Sequence, residues 1–233
     1  MRPLLLLLAL ALAAPAAAAP MGTIVAFGDS ITKGMVPTPW PDVLRERLHA
    51  RFPMGGVSVV NAGIGGNQLL GSMPDISGKP AGVARFARDA LGPKDVRIVI
   101  LLQGINDIGG LDLARAKGAP DAAQRDLAAE IVAGYRSLIA QAHERGIKLY
   151  GGTLTPFKGA GYYSADGEAV RQKVNHWIRT AGAFDAVIDF DAALRDPKNP
   201  ARLRHDYDLG DHLHPSLAGE AAMADAIDLS TLE

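Results

Sequence analysis

The sequence predicts one α/β domain in three layers, α/β/α, built on about five parallel strands. Two observations carry this. Short β-rich runs alternate with amphipathic segments at intervals that suit right-handed crossovers. The run at 96–102 (V-R-I-V-I-L-L) is aliphatic at six of its seven positions, so both its faces must be covered, as in a parallel sheet.

The elements follow in order. Residues 23–27 (T-I-V-A-F) form a buried strand entering a glycine. Residues 40–52 carry Val43, Leu44 and Leu48 at helical spacing, with Pro41 in the permitted first turn. A second strand covers 57–60, and a helix covers 83–91. After the strand at 96–102, residues 126–145 form the longest helix. Leu127, Ile131, Tyr135, Leu138 and Ala142 line one stripe of it, and Gly146 ends it. A fourth strand takes 147–151. The helix at 166–181 turns Val170, Val174, Trp177 and Ile178 inward. A short fifth strand takes 186–189, and a closing helix takes 217–227 after Pro215. Three glycine-rich loops, 61–72, 104–110 and 151–161, follow the second, third and fourth strands. Ligands of open parallel sheets bind at the carboxyl ends of the strands, so these loops and the turn after Phe27 should face one crevice.

Composition narrows the function. Of 233 residues, 48% are hydrophobic and 21% charged, as in a chain that buries a real core. Lys plus Arg is 24 and Asp plus Glu is 25, so no basic excess exists to neutralise a nucleic-acid backbone. There is no cysteine, which excludes disulfides, thiolate metal sites and a cysteine nucleophile.

Residues 1–19 read as a secretory signal peptide. Met1-Arg2 is a positive start, 4–14 is an apolar run, and Ala16-Ala17-Ala18 supplies small residues for cleavage. Cleavage after Ala18 or Ala19 fits, although the second puts Pro20 first. The run is too short to span a membrane and Pro15 interrupts it. The expectation is export, to a periplasm or the medium, with a single domain over 20–233 and no stable membrane span.

The polar residues at the predicted sheet edge make a hydrolytic set. They are Gly28-Asp29-Ser30, Asn61 with Gly63-Ile64-Gly65-Gly66-Asn67, Gly104-Ile105-Asn106-Asp107, and Asp211-His212-Leu213-His214-Pro215. A serine hydroxyl needs a base, and a histidine base needs a carboxylate to fix its tautomer. Ser30, His214 and Asp211 fill these roles. The oxyanion needs preorganised donors, and the N–H of Ser30, the N–H of Gly66 and the amide of Asn106 are suitable. Gly65 and Gly63 lie close enough to compete with Gly66. The elbow G-x-S-x-G does not fit, because Thr32 occupies the place of its second glycine.

These four blocks, G-D-S, N-A-G-I-G-G-N, G-I-N-D and D-x-x-H-P, resemble the SGNH hydrolases, or GDSL-type esterases and lipases. Ser30, Gly66, Asn106 and His214 stand at the four named positions. The resemblance runs from Gly22 to about Leu229. It implies a flavodoxin-like strand order, 2-1-3-4-5, and no cofactor. T-L-T-P-F (153–157), Y-Y-S (162–164) and the run at 187–197 resemble a bacterial branch that includes xylan-associated proteins and others of lysophospholipase type. The expectation is therefore a serine esterase for acetyl or other short acyl esters, small or carried on a polysaccharide. Only nine residues separate Ser30 from Trp40, which leaves no room for a large lid there.

Rival readings are a lysophospholipase or thioesterase, a metal-dependent phosphoesterase using Asp29, Asp107, Asp211 and the two histidines, and a non-catalytic carbohydrate-binding module. No metal is expected. Asp29 reads as a cap. Asn67 and Asp107 read as turn residues, with bracing as a second role. Asp189 and Asp191 read as structural, His212 as a rim or packing residue, and His49, His143 and His176 as surface residues. Trp177 reads as core. Asn67, Trp40, Phe157 and Tyr162 are candidates for lining the substrate, with Tyr163 a further loop aromatic.

Overall fold

The aliphatic runs form the strands expected of them. In a computed structural model, which describes residues 22–53, 55–71, 77–116 and 125–232, the chain begins at β1 (Gly22–Gly28) and α1 (Ser30–Lys33). It continues through α2 (Trp40–Arg51), β2 (Val57–Gly63), α3 (Gly82–Asp89), β3 (Val96–Leu102), α4 (Ile105–Ala116) and α5 (Leu127–His143). Then come β4 (Lys148–Gly152), α6 (Ala165–Thr180), β5 (Ala186–Ile188) and α7 (Phe190–Leu194). The small hairpin β6 (Arg195–Asp196) and β7 (Asn199–Leu203) precedes α8 (Leu217–Asp225). The expected signal peptide lies outside the described residues. Among the described residues, no helix is long and apolar enough to cross a membrane.

The main sheet has five strands, all parallel, in the order β2-β1-β3-β4-β5. β1 lies between β2 and β3 and is buried along almost its whole length. β2 is an edge strand, and all of it after Val57 is exposed or half-exposed. The order reverses direction between β1 and β3, the place where such sheets bind ligands. Helices cover both faces. α2 packs on α8 on one side, and α5 packs on α3 and α6 on the other. Aromatic pairs fill the layers between: Phe27 meets Phe86 edge-on at 5.2 Å, and Trp40 meets Phe190 at 5.5 Å.

The register fixes the level of the site. Gly28 pairs with Gly63 on one side and with Leu102 on the other. The three segments that follow these residues therefore leave the sheet side by side.

Three features depart from the sequence expectations. Residues 105–116 form α4 where a glycine-rich loop was expected at 104–110. Gly109 is needed for packing, because a Cβ there would come within 2.6 Å of the Tyr162 ring. The short elements α1, α7, β6 and β7 were not expected. Trp177 is half-buried rather than core: it stacks on Tyr135 at 6.2 Å, and the Arg136 guanidinium covers it at 5.2 Å.

Candidate active site

Ser30 sits where β1 breaks into α1. The break is tight because a Cβ on Gly28 would lie 2.3 Å from both the Leu102 carbonyl oxygen and Thr32 Oγ1. Asp29 caps the new helix, its Oδ1 accepting from the Ile31 N–H at 3.0 Å, as expected of it. Burial pushes the Asp29 carboxyl up to about 7; the Ile31 N–H opposes this, and the charge of Asp107 adds to it. As the first residue of α1, Ser30 has a backbone N–H with no partner inside the helix.

His214 reaches Ser30 from the other end of the chain, with Nε2 at 2.9 Å from Ser30 Oγ. Its Nδ1 lies 2.5 Å from Asp211 Oδ2. Asp211 Oδ1 accepts from the backbone N–H groups of Leu213 at 3.1 Å and His214 at 2.9 Å. Burial works against the Asp211 charge. The His214 ring and these two N–H groups outweigh it and hold the carboxyl below the usual carboxylate range. The loop that carries both residues is closed on itself. Asp208 bridges Pro215, and the Leu209 N–H donates to the His214 carbonyl at 2.9 Å. Serine, imidazole and carboxylate thus stand in a row through which a proton can leave the hydroxyl.

Gly66 lies in the turn after β2 with φ of 69°, a left-handed value that glycine adopts without penalty. The Asn67 N–H closes that turn on the Ile64 carbonyl at 3.2 Å. Asn106, near the start of α4, donates from Nδ2 to the Asn67 carbonyl at 3.2 Å. The amide carries a second N–H, which this bond leaves available.

A buried network joins the three loops. Arg85 of α3 donates to the Gly28 carbonyl at 2.7 Å, the Ala62 carbonyl at 2.9 Å and Asn67 Oδ1 at 2.8 Å. Its guanidinium lies 4.0 Å from the Phe27 ring centre. Gln103 donates to Asn67 Oδ1 at 2.8 Å and the Gln68 carbonyl at 2.9 Å, and the Tyr135 hydroxyl donates to the Gln103 carbonyl at 2.6 Å. Asp107 takes the N–H groups of Leu69 and Leu70 at 2.7 and 2.9 Å. Burial pushes its carboxyl up to about 6 against those donors. Sequence reasoning missed Arg85, Gln103 and Tyr135. Arg85 is a charged residue in the predicted helix at 83–91, which reads as surface.

The lining candidates fare differently. Trp40 and Phe157 have no exposed surface and belong to the core, so neither forms a substrate wall. Each follows a proline, which disguised it as a loop residue. Asn67 is also fully buried. Both ends of its side chain are held, Oδ1 by Arg85 and Gln103 and Nδ2 by the Pro80 carbonyl at 3.0 Å, so it braces the turn rather than lining a surface. Tyr162 is half-buried over α4, with its hydroxyl buried and unpartnered among the described residues. Burial pushes that hydroxyl's pKa up, and the charges of Asp29 and Asp211 push it further.

Asp189 caps α7 and pairs with Arg179, and Asp191 pairs with Arg171 and Arg179, as structural residues would. His49, His143 and His176 are exposed, His143 facing Asp185 at 2.9 Å. Among the described residues, no three His, Asp or Glu side chains gather as a metal site requires.

The profile of the GDSL-like lipase/acylhydrolase family matches residues 26–222. No functionally curated protein matches the chain in sequence. Among solved structures, an acetylxylan esterase from Geobacillus stearothermophilus is similar at 22% identity and a TM-score of 0.64, covering 91% of this chain and 94% of that one. An alpha/beta hydrolase enzyme from the metagenome of Lake Arreo, Spain, is similar at 19% identity and a TM-score of 0.65, with coverage of 91% and 94%. A GDSL-like lipase from Bacteroides thetaiotaomicron is similar at 18% identity and a TM-score of 0.62, with coverage of 90% and 87%. These likenesses carry the fold, and the match across most of the length carries the family: the chain belongs to the GDSL-like lipase/acylhydrolase family and is a carboxylic ester hydrolase.

Proposed function

We propose that the protein is an exported serine esterase that removes acetyl or other short acyl groups, including those carried by carbohydrates. The observation that carries the reading is the row from Ser30 Oγ through His214 to Asp211, at 2.9 and 2.5 Å.

In this reading Ser30 Oγ attacks the ester carbonyl while His214 Nε2 takes its proton. Asp211 holds Nδ1–H toward itself, which presents Nε2 to the serine, and stabilises the imidazolium that forms. The N–H of Ser30, the N–H of Gly66 and the free N–H of the Asn106 amide receive the oxyanion. His214 then returns the proton to the leaving alkoxide. A water deprotonated by His214 releases the acid from the acyl-enzyme.

Short acyl groups are favoured because only Gly34 to Pro39 lie between α1 and α2, too few for a lid over a long chain. The acetylxylan esterase from Geobacillus stearothermophilus offers a precedent for acetylated carbohydrate on this fold. Export rests on the pattern of residues 1–19.

The test is a series of p-nitrophenyl esters from acetate to decanoate, with acetylated xylan beside them, on wild type and Ser30→Ala. The reading expects hydrolysis that is greatest for the short esters and depends on Ser30. Activity that survives in Ser30→Ala, or that a chelator abolishes while a serine-reactive phosphonate does not, would remove it.

A further inference from the structure

The loop at 208–215 carries two imidazoles mounted in the same way, and only one has a nucleophile in front of it. Asp211 gives one oxygen to the N–H groups of Leu213 and His214 and the other to His214 Nδ1. Asp208 repeats the arrangement three residues earlier. Its Oδ1 accepts from the N–H groups of Gly210 at 2.8 Å and His212 at 2.9 Å, and its Oδ2 lies 2.5 Å from His212 Nδ1.

Two further features fix the second ring. His212 has φ of 62°, a left-handed value uncommon for a residue with a Cβ. Its ring packs against Gly159, where a Cβ would fall 2.8 Å from the ring carbons Cγ and Cδ2. A strained backbone, a carboxylate and a neighbouring loop therefore set the direction of one exposed ring. Its side chain is 42% exposed, while that of Asp208 is 10% exposed. Among the described residues Nε2 has no protein partner.

Packing alone does not need a carboxylate on Nδ1. That carboxylate draws the ring proton to Nδ1, which leaves Nε2 of the neutral ring as an acceptor on a half-exposed side chain. The side of the site follows from the esterase reading, on which this inference rests. His214 hands its proton to the departing alkoxide, so the segment next to it borders the alcohol half of the ester. The carbonyl oxygen belongs on the side of Gly66 and Asn106.

We propose that His212 is a specificity-determining residue for the alcohol half: its Nε2 accepts a hydrogen bond from a free hydroxyl of the leaving group, so that partly acylated polyols are preferred to esters of simple alcohols.

The experiment compares kcat/KM for glycerol 1-monoacetate and ethyl acetate by pH-stat, in wild type, His212→Gly and His212→Asn. Glycine accepts the left-handed backbone, so the first variant removes the ring without straining the loop. Asparagine tolerates that backbone and offers a shorter carbonyl acceptor. Wild type should prefer the monoacetate. The preference ratio should fall about 3- to 10-fold in His212→Gly, the effect of one neutral hydrogen bond, and recover in part in His212→Asn. A ratio that stays within twofold of wild type overturns the proposal, whether or not both rates drop together. Inertness of wild type toward both esters, or full activity in Ser30→Ala, would instead remove the esterase reading and this inference with it.

Discussion

Arg85 Nε donates to Asn67 Oδ1 at 2.8 Å, and so a helix behind the sheet holds the turn that carries Gly66. The same guanidinium holds the Gly28 and Ala62 carbonyls, which end β1 and approach the end of β2. Arg85→Met removes one donor from each of these acceptors, while the Gly28 carbonyl keeps the Ile64 N–H and Asn67 Oδ1 keeps Gln103. Unfolding in urea should show a loss of about 1.5–3 kcal/mol, the range for hydrogen bonds to a charged group. Arg85→Lys should recover little, since one ammonium cannot span the three acceptors a guanidinium fork reaches. A variant within about 1 kcal/mol of wild type would show that the network is dispensable.

Ser30, His214 and Asp211 should not be equal in their effects. In the proposed mechanism His214 moves the proton, and Asp211 orients and stabilises the ring. At saturating substrate, His214→Ala should therefore cost more kcat than Asp211→Asn, and both should leave the melting temperature near that of wild type. Asp189→Asn serves as the control. Asp189 caps α7 and pairs with Arg179, so its loss should lower stability and spare kcat. A larger kcat loss in Asp189→Asn than in Asp211→Asn would move the acid to the start of α7.

Asn106 has one N–H on the Asn67 carbonyl and one to spare. If the spare N–H meets the oxyanion, the bond strengthens in the transition state, and Asn106→Ala should cut kcat by roughly 10²–10³ with little change in KM. If the residue only braces the start of α4, melting temperature should fall and kcat should stay within a few-fold. Both quantities, measured on one preparation, separate the outcomes.

Glu220 gives a pH signature away from the site. It is fully buried in α8, its Oε2 accepts from the Trp40 N–H at 2.8 Å, and its Oε1 has no partner among the described residues. Burial pushes its carboxyl up to about 8, against the Trp40 N–H. The native state therefore holds the proton more tightly than the unfolded chain. The stability this brings is complete below the ordinary carboxyl value and is lost as pH rises through about 8. Glu220→Gln keeps the acceptor and removes the titration. Its melting temperature should gain on wild type steadily between pH 5 and pH 8.5. Parallel curves for the two proteins over that range would contradict the burial argument.

The strands were legible because apolar runs such as 96–102 leave few alternatives, and the candidate site could be named because Gly28, Ser30, Asn106 and His214 lie in short local patterns. What escaped was set by tertiary contacts. α4 looked like a loop because Gly109 and Gly110 weaken helix propensity. The need for glycine became visible only with Tyr162 packed on it. Arg85 looked solvated because charge on a helix usually is, and nothing local says that three carbonyls wait beneath it. Trp40 and Phe157 were misplaced for the opposite reason: proline neighbours mark loops, yet both side chains turn into the core.

Ser30 and His214 are separated by 184 positions. Ser30 leaves the first strand, whereas His214 and Asp211 arrive on a loop that follows the whole sheet. In the proposed mechanism a nascent chain would thus carry every strand and the turns of Gly66 and Asn106 before it could cleave an ester. Docking of the 208–215 loop is the step that arms it. A truncation just before Asp208 would leave Ser30 without its imidazole and would also strip α8 from α2.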